Sequence, residues 1–397
     1  MIKEDTAIPK GFLISAAEAA IKKPGRNDMT LIYSTVRAQA AGVFTKNTVK
    51  AAPVIVDMER IEKGYGRALF INSGNANACT GKKGMADVLK ISAALAKLLK
   101  IPETDVFVSS TGVIGTPLPM DRMIPKIPEL AQNLGQSTLL DAAQAIMTTD
   151  TFPKLISTEL KFGKTQATLS AIAKGSGMIS PSMATMLSCA ITDAAITTDA
   201  LKEALSASVN ESFNSITVDG QMSTNDTVIV FANGFAGNKT IEKGTKEFKS
   251  FQKSMTETFS LLSDMIVRDG EGATKFITVV VTGAHTTEAG KAVARAIAGS
   301  SLVKTAIYGQ DANWGRIMAA MGASNVQFDP YKVDIYFNKV KVVRKGLSTN
   351  NDTAATEVLK EKEILLSVNL NMGENSAKIR TCDLTEEYIK INAEYRT

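Results

Sequence analysis

The sequence predicts an α+β fold in which strands and helices are mixed and the sheets pack against other layers. Runs rich in β-branched and aromatic residues, such as Gly66–Asn72 and Lys275–Val281, are typical of buried strands. Amphipathic stretches lie between such runs, and residues 85–99 show the clearest 3.6-residue period. Because the two kinds of element do not alternate regularly, a doubly wound parallel sheet is not favoured.

The first 283 residues contain most of the predicted strands and form the larger expected domain. The predicted strands share β-branched content and turn-like flanks: Thr30–Val36, Ala40–Thr45, Ala52–Asp57, Gly66–Asn72, Val106–Ser110, 155–162, 166–173, Phe213–Val218, Thr227–Ala232 and Lys275–Val281. The predicted helices are 85–99, Leu139–Met147, a helix that begins at Thr198 as its N-cap, and 246–267.

A turn at Gly283–Thr287 marks the expected boundary to a smaller α/β domain, residues 284–397. That domain is predicted to contain helices and strands in the following order: a helix at 288–298, a strand at Leu302–Ile307, a helix around 317–321, and strands near 333–343, 363–371 and 377–382.

Composition excludes several classes of protein. Apolar residues make up 44% of the 397 positions and charged residues 21%, which is ordinary for a soluble globular protein with an ample core. No apolar run is long enough to span a membrane, and the N-terminus has no apolar signal core, so we expect a cytoplasmic protein without membrane partners. The 45 basic and 40 acidic residues are dispersed, which argues against nucleic-acid binding.

Cysteine and histidine chemistry is also poorly supported. The three cysteines, Cys79, Cys189 and Cys382, are far apart, so neither a disulfide framework nor a cysteine metal site is indicated. The single histidine, His285, lies in a turn, where such a residue is usually solvated. Because no glycine-rich nucleotide loop is complete either, we expect the chemistry to use hydroxyls, amines, amides and carboxylates.

One loop stands out, Lys174–Leu187, with the sequence Lys-Gly-Ser-Gly-Met-Ile-Ser-Pro-Ser-Met-Ala-Thr-Met-Leu. Two glycines and a proline shape its backbone, and Thr185 lies where the loop enters an apolar run. A hydroxyl there could attack the preceding carbonyl, so that water cuts the chain and leaves an N-terminal threonine that acts as its own base. Alternatively, Thr185 is an ordinary first residue of a strand.

A second candidate feature is the end of the predicted strand Val106–Ser110, which runs into Thr111 and Gly112. A strand that stops at such a pair leaves backbone N–H groups without ladder partners. Those groups are the donors that an oxyanion needs. An ordinary turn is equally consistent with this short pattern.

The central loop resembles the self-cleaving site of the glutamate N-acetyltransferase family, also called ornithine acetyltransferases. Further stretches resemble motifs of the same family: Asn72–Gly81, Ser110–Gly115, Ile146–Lys154, Thr224–Thr227, Asp269–Lys275, Asp311–Arg316 and the terminal Asn392–Thr397. They occur in order over essentially the whole chain, so agreement by accident is not expected.

The resemblance implies an acyltransferase cut between Ala184 and Thr185 into chains 1–184 and 185–397, which stay together as an α2β2 assembly. It implies a sandwich of two sheets flanked by helices, with a C-terminal α/β unit that brings its tail to the site. Thr185 would be the nucleophile, with Thr111 and Gly112 at the oxyanion hole. The implied substrate-binding set is Thr148, Lys174, Thr185, Glu271, Asn392 and Thr397.

The implied reaction is acetyl transfer from N2-acetylornithine to glutamate in arginine biosynthesis. Lys174 and Asn392 suit the α-carboxylates of both substrates, and Glu271 suits the side-chain amine of ornithine. Transfer would be ping-pong through an ester on Thr185 and would need no metal or redox cofactor, while acetyl-CoA remains open as a second acetyl donor. The alternatives are a self-processed aminopeptidase or amidase of related scaffold, and a basic binding protein without activity.

Overall fold

The computed structural model describes residues 7–180 and 186–394. The chain divides into two compact units. The first comprises Met1–Met178, Ser182–Asn214 and Gln221–Ile266, and the second comprises Ile179–Pro181, Ser215–Gly220 and Val267–Thr397. Ala184, Thr185 and Thr397, which carry three of the predicted site roles, lie outside the described residues.

Eight strands of the first unit join in one sheet with the order β4-β3-β2-β8-β7-β6-β5, and β1 pairs with β2. Their bounds are β1 Phe12–Ala17, β2 Met29–Phe44, β3 Tyr65–Asn72, β4 Val106–Ser110, β5 Lys154–Phe162, β6 Thr165–Lys174, β7 Leu187–Thr192 and β8 Thr227–Ala232. Parallel pairs join β3 to β4 and β7 to β8, and the other neighbouring strands are antiparallel.

Strand β2 connects two halves of this sheet. Its residues 29–34 pair with β1, whereas residues 39–44 pair with β8. Apolar side chains from both halves, including Ile14, Leu69, Ile172 and Ile229, belong to one buried cluster. The first unit is therefore layered like the expected sandwich of two sheets, although a single long strand joins the layers.

The helices of the first unit are α1 Ala52–Ile61, α2 Gly81–Leu99, α3 Met120–Met123, α4 Ile127–Gln132, α5 Leu139–Ala145, α6 Thr198–Glu211 and α7 Lys246–Arg268, whose last two residues belong to the second unit. Val88, Ile91 and Leu95 of α2 pack with Phe70 and Val108 of the sheet. Such packing on the outer sheet face removes apolar surface from water. None of the helices in the described part of the chain is long and apolar enough to cross a membrane.

The second unit contains a mixed sheet with the order β12-β11-β10-β13-β9-β14. Its elements are α8 Thr287–Gly299, α9 Ser301–Tyr308, α10 Trp314–Gly322, α11 Asp352–Val358 and α12 Glu386–Ala393, with strands β9 Phe276–Ala284, β10 Asp334–Phe337, β11 Val340–Arg344, β12 Leu347–Ser348, β13 Glu363–Asn369 and β14 Asn375–Cys382. Together the two units confirm the α+β class. The longest segment of the second unit begins at Val267 and includes β9, an interior strand of the second sheet.

Two predicted strands are helices. Ala52–Asp57 begins α1, where Pro53 occupies the first turn, a position at which its missing N–H costs nothing. Leu302–Ile307 lies in α9, which is capped by the Ser300 hydroxyl accepting from Val303 N. Val303, Ala306 and Ile307 are its buried apolar residues, at helical spacing. The β-branched content of both segments was misleading because burial on one helix face outweighs intrinsic propensity.

Smaller differences concern the ends of elements. Thr30–Val36 and Ala40–Phe44 belong to the single strand β2, which ends one residue before the expected Thr45. Phe213–Val218 begins with a 3₁₀ turn, Phe213–Ser215, rather than a strand. The N-cap of α6 is Thr197, whose hydroxyl accepts from Ala200 N, so the cap precedes the expected Thr198 by one residue.

Candidate active site

Thr111 follows β4 directly, and its backbone N–H and its hydroxyl make different contacts. Its backbone N–H donates to the Asn72 carbonyl at 3.0 Å, so this N–H is not available to an oxyanion, contrary to the expectation from the strand end. The Thr111 hydroxyl accepts a hydrogen bond from Lys174 Nζ at 3.3 Å. Since a hydroxyl can donate while it accepts, the O–H proton remains the donor that Thr111 can offer a ligand.

Gly112 has φ +134°, and a Cβ atom at this position would lie 2.2 Å from the Gly74 carbonyl carbon and 2.4 Å from Asn75 N. Only glycine allows this close approach of two backbones. Within the described part of the chain, the Gly112 N–H has no hydrogen-bond partner. The turn therefore presents one hydroxyl and one backbone N–H as adjacent donors.

Asparagine side chains hold this turn in place. Asn72 Nδ2 donates to the Asn75 carbonyl at 2.9 Å, and Asn72 Oδ1 accepts from the Ser110 hydroxyl at 2.7 Å. Asn225 Nδ2 donates to the carbonyls of Ala76 and Ser110, at 2.6 and 2.8 Å. In the sequence, Asn225 stands out only as part of the motif Thr224–Thr227. The structure gives Asn225 a scaffolding role, because it ties the loop after β3 to the end of β4, directly before the Thr111–Gly112 turn, which we call the oxyanion turn.

Lys174 is the last residue of β6 and pairs with Leu187 of β7. Its side chain is only 4% exposed, which is rare for a lysine and requires compensating partners. Besides Thr111, the compensation includes the attraction of Asp150, whose ionised form Lys174 favours. Lys174 thus stays close to the oxyanion turn as a buried cation.

Asp150 organises the groups around Lys174, a role that the sequence did not reveal. Its Oδ1 accepts from Lys154 Nζ and from Gly175 N, both at 2.7 Å, and its Oδ2 accepts from Thr148 N at 2.9 Å. Burial opposes ionisation of the carboxyl, but the attraction of Lys174 and Lys154 and these hydrogen bonds outweigh it and hold the Asp150 pKa below its usual range. The carboxylate therefore links Thr148, Lys154 and Gly175 through one charged centre.

Asp226 lies beside the residue that follows Thr185. Its Oδ1 accepts from Met186 N at 3.1 Å, and the Met186 carbonyl accepts from Thr227 N at 3.1 Å. The Asp226 carboxyl is completely buried, and burial raises its pKa well above the usual range. Its Oδ2 has no hydrogen-bond partner in the described chain. A buried carboxyl group thus fixes the start of β7.

In the second unit, the structure brings Glu271 and Asn392 together. Asn392, on α12, donates from Nδ2 to Glu271 Oε2 at 2.8 Å and to the Tyr388 carbonyl at 2.9 Å. Glu271 is 7% exposed and lies between Gly270 and Gly272. With both Nδ2 hydrogens engaged, Asn392 offers its Oδ1 acceptor, and the pair suits a cation better than the carboxylate that we expected Asn392 to bind.

The turn that carries Glu271 is fixed to α12 by backbone and side-chain contacts. Gly272 has φ +70°, and a Cβ there would lie 2.7 Å from Tyr388 N. The Thr385 hydroxyl donates to the Gly272 carbonyl at 2.7 Å. Glu271 therefore lies on a turn whose backbone is held in one position. Ligand-selecting side chains need such support.

The described site residues form two groups, one in each unit: Thr111, Gly112, Thr148 and Lys174 in the first, and Glu271 and Asn392 in the second. The first group combines a buried cation with two donors beside a strand end. Such an arrangement can bind a carboxylate and stabilise the oxyanion of an acyl-transfer reaction. The α+β fold and this group of residues together indicate that the protein is an acyl-transfer enzyme.

Comparison with known proteins specifies the family. Residues 13–397 match the ArgJ family. The chain is 49% identical over 390 residues to the arginine biosynthesis bifunctional protein ArgJ of Geobacter sulfurreducens, with 98% of this chain and 99% of the relative covered. It is 50% identical over 395 residues to the protein of the same name from Caldanaerobacter subterraneus, with 98% of each covered. The crystal structure of the Bacillus halodurans protein argJ is 45% identical over 51% of this chain and 95% of that chain, with a TM-score of 0.49.

The chain belongs to the ArgJ family, whose bifunctional members are acetyltransferases of arginine biosynthesis. The resemblance read from the separated sequence motifs is thereby confirmed. The roles of the individual site residues remain predictions.

Proposed function

We propose that this chain transfers the acetyl group of N2-acetylornithine to glutamate through an ester on the Thr185 hydroxyl. The observation that carries the proposal is the contact of Lys174 Nζ with Thr111 Oγ1 at 3.3 Å, beside the Gly112 N–H, which has no partner among the described residues. A buried cation and two preorganised donors at one strand end are what an acyl-transfer site needs. Membership in the ArgJ family supports the same reaction.

The nucleophile is made by the chain itself. The Thr185 hydroxyl attacks the Ala184 carbonyl, the acyl group moves from nitrogen to oxygen, and water hydrolyses the resulting ester. This leaves a carboxylate on Ala184 and a free α-amine on Thr185. With an ordinary pKa of about 7.7–8.0, that amine is partly unprotonated at neutral pH and accepts the hydroxyl proton. Chains 1–184 and 185–397 remain associated as α2β2.

Acetyl transfer follows in two halves. In the first, Thr185 Oγ attacks the acetyl carbonyl, the oxyanion accepts hydrogen bonds from the Thr111 hydroxyl and the Gly112 N–H, and ornithine leaves with its amine protonated. In the second, the amine of glutamate attacks the acetyl ester, and N-acetylglutamate leaves as the Thr185 hydroxyl is restored. Both halves use the same donors because both pass through a tetrahedral oxyanion.

The binding roles divide by charge. Lys174 binds the α-carboxylate that both substrates carry, and Thr148, whose position Asp150 fixes, lines the same region. Glu271 and the Oδ1 atom of Asn392 bind the side-chain ammonium of ornithine, and Thr397 contributes from the chain terminus. No metal or redox cofactor takes part in this mechanism, and acetyl-CoA is a second acetyl donor.

The proposal is tested by incubating the purified protein with N-acetylornithine and glutamate and measuring N-acetylglutamate. We expect product from the wild type and less than about one-hundredth of its rate from Lys174→Met, which keeps the apolar stem but removes the charge. Lys164→Met, an exposed lysine in the β5–β6 turn, is the matched control. Release of acetate without dependence on glutamate would indicate an amidase and contradict the proposal.

A further inference from the structure

The chain ahead of the proposed cut is held at Ile179, which precedes Thr185 by six positions. The Ile179 side chain is completely buried, and its backbone N–H donates to Asp219 Oδ1 at 3.0 Å. Its carbonyl accepts two hydrogen bonds, from Val218 N at 2.9 Å and from the Thr217 hydroxyl at 3.0 Å. Both backbone polar groups of Ile179 are therefore fixed by three consecutive residues, which we call the 217–219 clamp.

The 217–219 clamp is itself anchored within the second unit. Thr217 N donates to the Arg380 carbonyl of β14 at 2.9 Å. The Val218 carbonyl accepts from Lys304 Nζ at 2.6 Å, and the same Nζ donates to the Thr381 hydroxyl at 3.1 Å. Because a lysine is almost never fully buried without partners, the 3% exposed Lys304 of α9 depends on these contacts. The clamp is therefore fixed against α9 and β14.

Asp219 also contacts the helix that carries Asn392. Its Oδ2 accepts from the Tyr388 hydroxyl at 3.3 Å, and the Tyr388 carbonyl accepts from Asn392 Nδ2 at 2.9 Å. Burial, and then the charges of Asp219 and Glu271, raise the pKa of Tyr388, so the phenol keeps the proton that it donates. The two oxygens of one carboxylate therefore hold Ile179 and α12.

The proposed cut would separate the partners of this carboxylate between two chains. Ile179 belongs to chain 1–184, whereas Asp219 and Tyr388 belong to chain 185–397. The hydrogen bonds of Ile179 would thus lie within one chain before the cut and would join the two chains after it. The same contacts can therefore act on the self-cleavage and on the finished enzyme.

We propose that Asp219 is a positioning residue for both steps, which aligns the chain before the cut through Ile179 and the ornithine-binding corner of α12 through Tyr388. This inference deepens the proposed function and rests on it. Attack of the Thr185 hydroxyl on the preceding carbonyl requires that the chain leading to that carbonyl be held in place, because a small misplacement of reacting groups costs a large factor in rate. Hydrogen bonds to both backbone groups of Ile179 provide such support.

Variants that remove one hydroxyl each separate the two roles. Thr217→Val removes the hydroxyl that donates to the clamped carbonyl, whereas Thr217→Ser keeps a hydroxyl there. Tyr388→Phe removes only the hydroxyl that contacts the carboxylate. Thr353→Val and Tyr331→Phe, at exposed positions of the same unit, are the matched controls. The measurements are the time course of fragment 185–397 after cell-free synthesis, and kcat and KM of the cut enzyme for both substrates.

We expect Thr217→Val to slow the cut about three- to tenfold, the value of one hydrogen bond, while Thr217→Ser and the controls keep the wild-type rate. Tyr388→Phe should be cut normally but raise the KM of N-acetylornithine about threefold or more, with kcat and the KM of glutamate little changed. Asp219→Ala should show both defects. A general loss of stability would not divide the two effects between two variants in this way.

Normal cutting of Thr217→Val, equal slowing by Thr217→Ser, or an unchanged KM of N-acetylornithine in Tyr388→Phe would each overturn the inference. These outcomes require a wild type that is cut and transfers the acetyl group. A wild type that stays whole, or that makes no N-acetylglutamate, would contradict the proposed function instead, so the two failures are distinguishable.

Discussion

Gly112 packs its Cα against the carbonyl group of Gly74, so closely that a Cβ atom on Gly112 would lie 2.2 Å from the Gly74 carbonyl carbon. This contact fixes the direction of the Gly112 N–H, one of the two donors that we assign to the oxyanion. Backbone atoms cannot rotate away as a flexible side chain can, so the turn has little freedom to accept a larger residue.

Gly112→Ala should therefore disable acetyl transfer and lower the free energy of unfolding by about 1–3 kcal/mol, the usual cost of overpacking. Gly115→Ala is the control, because Gly115 also has positive φ, +84°, but a Cβ there meets nothing within 4 Å. We expect the control to lose about 1–2 kcal/mol from its backbone conformation and to keep its rate. Denaturant unfolding and kcat measure the two effects, and equal rates for the two variants would count against the assignment.

Thr111→Val tests whether the side chain, rather than the backbone N–H, is the second donor. Valine keeps the shape and the N–H bond to Asn72 but removes the hydroxyl that contacts Lys174. We expect kcat to fall by about 10²–10³, as for other oxyanion donors. Thr116→Val, exposed on the same turn, should behave like the wild type. A Thr111→Val enzyme with normal kcat would show that the hydroxyl is dispensable.

Asp150→Asn is expected to destabilise the protein in a pH-dependent way. Lys174 and Lys154 hold the Asp150 pKa below the usual value of about 3.9, despite burial, so the ionised form stabilises the folded state at neutral pH. That stabilisation begins to fall as the pH drops below about 4 and is lost as the pH falls through the folded-state pKa.

Removing one partner of a buried ion pair costs about 3–5 kcal/mol. We therefore expect a deficit of this size for Asp150→Asn at pH 7 and a smaller one at pH 3, measured by denaturant unfolding. The exposed Asp121→Asn should show no deficit at either pH. A deficit that is the same at pH 3 and pH 7 would refute the charged state of Asp150.

Asp226 differs from Asp150, since burial raises the Asp226 pKa well above the usual range. Asn in its place retains an Oδ1 acceptor for Met186 N, so Asp226→Asn should be cut before Thr185 at close to the wild-type rate. Asp226→Ala removes the acceptor and should slow the cut about tenfold, because a buried donor without a partner costs about 1–3 kcal/mol. The time course of fragment 185–397 on denaturing gels distinguishes these outcomes. Equal slowing in both variants would contradict the role of the Oδ1 acceptor.

Glu271→Gln should separate the two substrates kinetically. The lost charge is needed for the ammonium of ornithine but not for glutamate, which has no side-chain cation. We expect the KM of N-acetylornithine to rise about tenfold or more, in line with the value of a charged hydrogen bond, while the KM of glutamate changes little. Glu374→Gln, an exposed residue of the same unit, is the control. An equal rise in the KM values of N-acetylornithine and glutamate would contradict the role assigned to Glu271.

Sequence patterns correctly predicted those elements in which local propensity and tertiary packing favour the same secondary structure. Val106–Ser110 and Thr227–Ala232 are strands with the expected bounds, since both are short, β-rich and fully buried. The prediction of a strand at Leu302–Ile307 was wrong. The valine, alanine and isoleucine of this segment are buried along one face of a helix, and six residues are too few to distinguish that pattern from a strand.

The candidate site was predictable where a residue type carries its own chemistry, as with Lys174 and Gly112. Asp150 and Asp226 were not assigned because their roles depend on burial and on partners brought together by the fold. Met186 and Asp226, for example, are 40 positions apart in the chain. Their only sequence signal was membership of the polar motifs Ile146–Lys154 and Thr224–Thr227.

The intact mass of the denatured protein, before and after N-acetylornithine is added, tests the central claim most directly. We expect the wild type to give chains 1–184 and 185–397, with the second chain heavier by one acetyl group after the addition and restored when glutamate follows. Thr185→Ala should give one uncut, unacetylated chain. A wild type that stays uncut, or a cut protein that never gains the acetyl group on chain 185–397, would contradict the threonine-ester mechanism.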